Sequence, residues 1–399
     1  MGNENVPGNA GFRDQHLALS WVQNNVAEFG GDPNSVTIFG ESAGATSVAV
    51  HMVSPMSKGL FHQVILQSVA LSSSWGPITQ DHALEYSEIF AGKLDCNQKE
   101  VGDDNDEIIK CLQSKETAEI MNLSDLYGNE DGVFWNAVPD QGFTSKPFLP
   151  AHPEELMANG QFNKDIKVII GTTADEGILP LAEPLASSNW EKFQTKFKEN
   201  GPNQLFNFNR PNQSEITEEM RENTQKIVEY YVGSMDNITE KNKQGMFDMF
   251  TDAFFLHGTH KTIKHLIQNN VTIFQYILTY EGKFSVSQFF GIAEPEGVSH
   301  GDDLIYLFDP LSGEAATRIR GTLSGDDALV RDIMTSTWTN FAIHGHPTPP
   351  GGKTDLNWTK PLLMFTPKHQ YFNISGPDSV MDSSKNIEER MSLWDQILG

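Results

Sequence analysis

Residues 36–47 read VTIFGESAGATS, and this corner constrains the chain more than any other stretch. A β-branched run meets a helix-compatible run of small residues, with a serine between two glycines at the junction. A strand can become a helix within one residue only where the two backbones approach closely. The spacing therefore predicts that Gly40 and Gly44 remove side chains that would collide with the helix or the strand. Ser42 stands at the apex with strained backbone, exposed at the carboxyl end of a sheet. The N–H of Ala43 lies at the helix N-terminus, where it can stabilise an oxyanion. G-x-S-x-G alone recurs by chance as a small-residue turn. The strand before it and the helix after it make it a nucleophile candidate.

A serine hydroxyl needs a histidine base, and the base needs a carboxylate to orient it. In one architecture that uses such a corner, these follow in the order Ser, acid, His, on loops after strand ends. The stretch IIGTTADEG (169–177) puts Asp175 and Glu176 directly after a strand, and spacing does not choose between them. Of twelve histidines, His16, His51, His62, His82 and His152 precede this acidic turn. His257, His260 and His265 share one helical stretch. It lacks an accompanying pattern of carboxylate ligands, so a structural or exposed role is expected there and no metal site. His344, His346 and His369 lie in or near late polar loops. His300, in EPEGVSHGDD (294–303), follows a strand and is flanked by Gly297 and Gly301, which allow close approach. Order and context make it the base.

Strand-like and helix-like runs alternate, which predicts an α/β class. Strands are expected at 35–40, 64–68, 166–173 and 271–280, and helices at 45–53 and 327–345, the last stopped by Gly345. Stretches 98–107 and 200–225 are polar and read as exposed excursions. With no repeat and no interdomain linker, residues 1–399 read as a single elaborated domain.

Twenty-eight basic residues against 53 acidic ones give a formal net charge of −25. Such a surface repels phosphate backbones and anionic membranes, excluding nucleic acid and favouring a neutral or cationic small molecule. No apolar run is long enough to span a membrane. The first residues, MGNENVPGNAGFRDQ, lack the basic start and apolar run of a signal peptide. Six N-x-S/T sequons, at Asn122, Asn212, Asn237, Asn270, Asn357 and Asn373, point toward a secretory-route glycoprotein. Spacing leaves open whether the two cysteines, Cys96 and Cys111, are buried thiols or a bridge.

Longer stretches carry a resemblance. ENVPGNAGFRDQHLALSWVQNNVAEFGGDPNSVTIFGESAG (4–44), SKGLFHQVILQS (57–68), GTTADEG (171–177), GVSHGDDLIYLF (297–308), WTNFAIHGHPTP (338–349) and ERMSLWDQI (389–397) resemble the type-B carboxylesterase and cholinesterase family. The insect carboxylesterases, including juvenile hormone and odorant-degrading esterases, are the most similar group. The resemblance implies an α/β-hydrolase fold, a mostly parallel central sheet flanked by helices. It implies a serine hydrolase of small lipophilic carboxylic esters, working through an acyl-enzyme without cofactor. It assigns Ser42 as nucleophile, Glu176 as acid, His300 as base and Ala43 as an oxyanion donor. Ser68 matches a serine that supports the acid and base. Trp75, with Phe134 and Trp135 nearby, matches pocket-lining aromatics, and Cys96–Cys111 matches a family disulfide. A secreted or endoplasmic-reticulum location is implied, with oligomeric state left open.

Two departures stand out. Val69 follows Ser68 where the family usually has glycine. The family also carries amino-terminal strands, a signal peptide and a His-Gly-Gly loop that supplies further oxyanion N–H groups, and residues 1–41 hold no such loop. The chain is thus expected to be amino-terminally incomplete and, expressed alone, inactive or insoluble. A non-catalytic binding protein and a scavenger with little turnover are the rival readings. Glu41, where juvenile hormone esterases commonly carry Gln, leans toward a general carboxylesterase.

Overall fold

A computed structural model describes residues 6–96, 105–123, 135–208, 216–308, 321–350, 356–358 and 370–398. Its sheet has six strands in chain order: β1 (Thr37–Glu41), β2 (Gln63–Gln67), β3 (Lys167–Thr173), β4 (Thr272–Leu278), β5 (Gln370–Ile374) and β6 (Val380–Ser383). β1 to β5 run parallel and β6 returns antiparallel. The apolar runs of β2, β3 and β4 are continuous because helices cover both faces of the sheet. Val64, Leu66, Val168, Ile170 and Ile273 join a core with the helix Ala43–Val53 and with Ile263 and Leu266 of the helix His257–Gln268. Ile65, Ile169 and Phe274 join another core with the helix Asp326–His344.

The four expected strands correspond to β1–β4, with ends displaced by one or two residues. The helix after Ser42 begins at Ala43, two residues earlier than expected, so the serine borders it directly. The helix Asp326–His344 ends at Gly345, whose φ of 62° closes it. β5 and β6 are short and interleaved with Gln, Asn and Asp, which left no apolar run to find.

A third, phenylalanine-rich core joins the helices Trp190–Phe206, Glu218–Val232, Lys243–Thr251 and Lys385–Leu398. Ile178 and Leu181, just after β3, belong to it, so this helical layer covers the carboxyl side of the sheet. The exposed excursion expected over 200–225 holds only in part: residues 209–215 lie outside the described residues, residues 217–219 are exposed, and others are buried. Gly201, Pro202, Asn203 and Leu205 are buried in the last turns of Trp190–Phe206, and Thr224 is buried in Glu218–Val232. Their polar composition masked one buried face on each helix.

Cys96 and Cys111 form a disulfide with Cα atoms 5.6 Å apart. It ties the end of the helix Gln80–Lys93 to the helix Asn105–Gln113 around Tyr86, Phe90, Leu94 and Ile108. With a sequence separation of 15, closing this loop stabilises by about 3 kcal/mol. Replacing both cysteines with serine is expected to lower the unfolding free energy by that amount in urea titration.

Candidate active site

β1 delivers the serine. A Cβ on Gly40 would lie 2.4 Å from the Gly44 carbonyl carbon, so the strand crosses the helix start with no room for a side chain. Gly44 differs from expectation: a Cβ there meets nothing within 4 Å among the described residues. The steric requirement falls on Gly40. Ser42 has φ 59° and ψ −122°, in the region where side chains are strained. Two hydrogen bonds hold it there. Its N–H donates to the Gln67 carbonyl at 2.9 Å, and its carbonyl accepts from Thr46 N–H at 3.0 Å. Ala43 opens the helix, where N–H groups have no intrahelical acceptor.

The loops after β3 and β4 complete a relay. His300 Nε2 lies 2.8 Å from Ser42 Oγ, and His300 Nδ1 lies 2.5 Å from Glu176 Oε2. Glu176 Oε1 accepts from Ser68 Oγ at 2.5 Å and from the Thr173 N–H at 2.8 Å. Glu176 and Ser68 are fully buried, and His300 is 7% exposed. A carboxylate accepts only, so Nδ1 carries the proton in this pair, and in the neutral imidazole Nε2 is left to accept from the serine hydroxyl.

Asp175, the other acidic candidate, faces elsewhere. Its Oδ2 accepts from Val298 N–H at 2.9 Å and its Oδ1 from Gln244 Nε2 at 2.8 Å. Its own N–H donates to the Val298 carbonyl at 3.0 Å. Gly297, at φ 70°, lies so close that a Cβ would be 2.5 Å from Asp175 Oδ2. Asp302 Oδ2 accepts from Ser299 N–H at 2.8 Å. Two carboxylates therefore grip consecutive backbone N–H groups immediately before His300.

Burial pulls the His300 imidazolium down, but the charge and hydrogen bond of Glu176, with Glu41 and Asp303 nearby, outweigh it and push His300 up to about 9. Sequence reasoning did not place Glu41 at the base, yet its Oε1 is 3.1 Å from His300 Nε2. Burial pushes Glu41 up to about 8; His300 opposes this, while Asp303 and Glu176 reinforce it. Asp303, fully buried, accepts from Gln67 Nε2 at 2.7 Å and Tyr276 OH at 2.8 Å, and burial raises it too. Trp338 Nε1 donates to Gln67 Oε1 at 3.1 Å and closes this network.

Trp75 donates its indole N–H to the Phe254 carbonyl at 3.0 Å, and its ring meets Phe255 edge-on. Phe255 lies against His300 with centroids 4.5 Å apart. Phe134 lies outside the described residues. Trp135 packs edge-on against Phe90, in the cluster beside the disulfide, and so joins the disulfide-bearing excursion. Val69 is fully buried in the sheet core while Ser68 takes φ 56°, so the substitution for glycine is absorbed by the core. His257, buried, pairs through Nε2 with Asp395 Oδ1 at 3.1 Å. Asn122, Asn270 and Asn357 are exposed. Asn237 is exposed with its amide donating to the Val232 carbonyl. Asn373, half-buried in β5, accepts from Thr279 Oγ1 and donates to Asp382 Oδ2. Asn212 lies outside the described residues.

A mostly parallel, helix-covered sheet with a strained serine closing its first strand defines an α/β-hydrolase fold. The model of the carboxylesterase family matches residues 1–394, and the chain belongs to that family. It is 31% identical to a juvenile hormone esterase of Tribolium castaneum over 96% of this chain and 63% of that protein. It is 32% identical to esterase FE4 of Myzus persicae over 86% of this chain and 58% of that one. The fold matches the crystal structure of juvenile hormone esterase from Manduca sexta with a TM-score of 0.78 and 24% identity, over 99% of this chain and 71% of that one. The chain thus spans about three-fifths of the length of these two curated relatives.

The raised groups set a pH dependence of stability. Between pH 6.5 and about 9 the folded chain keeps the His300 proton that the unfolded chain releases. Glu41 does the same up to about 8 and Asp302 up to about 7. Stability supplied by a raised group is present below its unfolded value and lost as pH rises through its folded value. Buried His51, held down at about 4, works oppositely, but only below 6.5. The melting temperature is therefore expected to fall between pH 6.5 and 9, a trend that calorimetry in matched buffers would record.

Proposed function

We propose that the protein is a serine carboxylic ester hydrolase that forms an acyl-enzyme on Ser42. One observation carries this reading: the Ser42–His300–Glu176 relay, closed by Ser68, on a serine with positive φ at a strand-to-helix corner. Membership of the carboxylesterase family supports it. The relatives are described as esterases, and the Manduca enzyme as carrying a covalently attached ligand, OTFP.

His300 Nε2 takes the Ser42 proton as Oγ attacks the ester carbonyl. Glu176 holds Nδ1–H and stabilises the imidazolium that forms. The Ala43 N–H faces the developing oxyanion. The alcohol leaves with the proton from His300. Water, deprotonated by His300, then attacks the acyl carbonyl and releases the acid. Small lipophilic esters fit this reading, because Phe255 puts an apolar ring beside the base and Trp75 packs against Phe255. The disulfide and the exposed sequons support a secreted or endoplasmic-reticulum glycoprotein.

Ser42→Ala is expected to abolish hydrolysis of nitrophenyl esters by the full chain, measured spectrophotometrically, while the fold persists; undiminished turnover would contradict the assignment. Glu41→Gln removes a carboxylate that raises His300. The acid limb of the kcat/KM profile is expected to move to lower pH in that variant.

A further inference from the structure

The helix from Lys243 to Gln268 is not continuous α-helix. Asp252–Leu256 forms a π turn, in which the His257 N–H bonds back to the Asp252 carbonyl. One extra residue in a turn rotates the side chains beyond it by about 100° relative to an unbroken helix. Every residue of this turn is buried. One side of it meets the candidate site. Thr251 Oγ1, just before it, accepts from Gly177 N–H at 2.9 Å, next to Glu176. The Phe254 carbonyl accepts from Trp75, and Phe255 presents its ring to His300 at 4.5 Å with an interplanar angle of 33°.

The turn is anchored from its far side. Asp252, fully buried, accepts from Arg390 Nε at 2.7 Å and Arg390 Nη2 at 2.5 Å. Tyr231 OH also donates to Asp252 and accepts from Trp394 Nε1 at 2.9 Å. The helices Glu218–Val232 and Lys385–Leu398 thus fix the wide turn through one carboxylate.

We propose that Phe255 is a positioning residue for the base: held by the π turn, its ring covers one face of the His300 imidazole, fixing the plane of the ring and favouring its cationic form. This rests on the reading of His300 as the base of a hydrolase. The imidazole must stay aligned with Ser42 Oγ at Nε2 and Glu176 Oε2 at Nδ1 through a cycle of protonation. Rotation about the Cβ–Cγ bond would break both hydrogen bonds, and an aromatic face in contact with the ring obstructs it. The same face attracts the imidazolium that forms when Ser42 gives up its proton, a cation–π contact strengthened by burial. The titratable groups around His300 are Glu176, Glu41 and Asp303, all carboxyl groups. Phe255 is thus the aromatic member of a shell otherwise set by charge.

The test compares the full wild-type chain with Phe255→Leu, Phe255→Met and Phe255→Tyr. The His300 ring proton at Cε1 is followed by NMR across pH, assigned by its loss in His300→Gln. Thermal melting reports on folding separately. In Phe255→Leu and Phe255→Met the His300 midpoint is expected to fall. Nitrophenyl ester kcat should drop by about tenfold with little change in KM, and its acid limb should follow the midpoint. Phe255→Tyr keeps an aromatic face and should stay near wild type in both. A His300 midpoint unchanged in folded Phe255→Leu and Phe255→Met overturns the proposal. A wild-type chain that folds yet neither turns over ester nor takes a fluorophosphonate label at Ser42 counts against the hydrolase reading instead, and the His300 midpoint still decides on Phe255.

Discussion

The buried carboxylate of Glu176 is the contact on which the site depends. It takes hydrogen bonds from three separate elements: His300 after β4, Ser68 after β2 and the Thr173 N–H at the end of β3. A buried carboxylate is costly unless its lone pairs are filled, and three donors meet that requirement. The acid therefore ties neighbouring strand ends together. Loss of any donor would leave a desolvated charge short of partners. That coupling makes the site a property of the sheet rather than of one loop.

Around this contact the chain applies restraint at the backbone. Gly40 lets β1 cross the following helix, and Ser42 accepts a strained conformation held by Gln67 and Thr46. Asp175 and Asp302 hold Val298 and Ser299 in place just before the base. A third layer comes from the helices: the π turn brings Phe255 onto His300 while Asp252 and Arg390 hold the turn from behind. Burial concentrates carboxyl groups near one imidazole, and this holds Glu41 and His300 at raised values. The charge that stabilises an imidazolium also makes the folded site retain protons.

The core of this arrangement is legible in the sequence because its rules are local. A β-branched run, a serine between glycines, and an acid and a histidine placed after later strands need only chain order and turn chemistry. Glu176 was not separable from Asp175 by spacing, since both stand in the same turn; only the direction of each side chain distinguishes them. The contact of Glu41 with His300 was not legible because it joins residues 259 positions apart in the chain. Phe255 gave no signal at all. Its position is set by a π turn, and apolar periodicity reads that segment as ordinary helix. β5 and β6 were missed for a similar reason, their short polar stretches being strands only through pairing with β4 and with each other.

The Glu176–His300 hydrogen bond is the centre of the site, and the His300 Nδ1 proton reports on it directly. Proton NMR of the full chain in water is expected to show this proton well downfield of the amide envelope. It should persist in Ser42→Ala and vanish or move upfield in Glu176→Gln, where the charge that holds it is gone. Absence of such a resonance from the wild-type spectrum, or its survival unshifted in Glu176→Gln, would contradict the account.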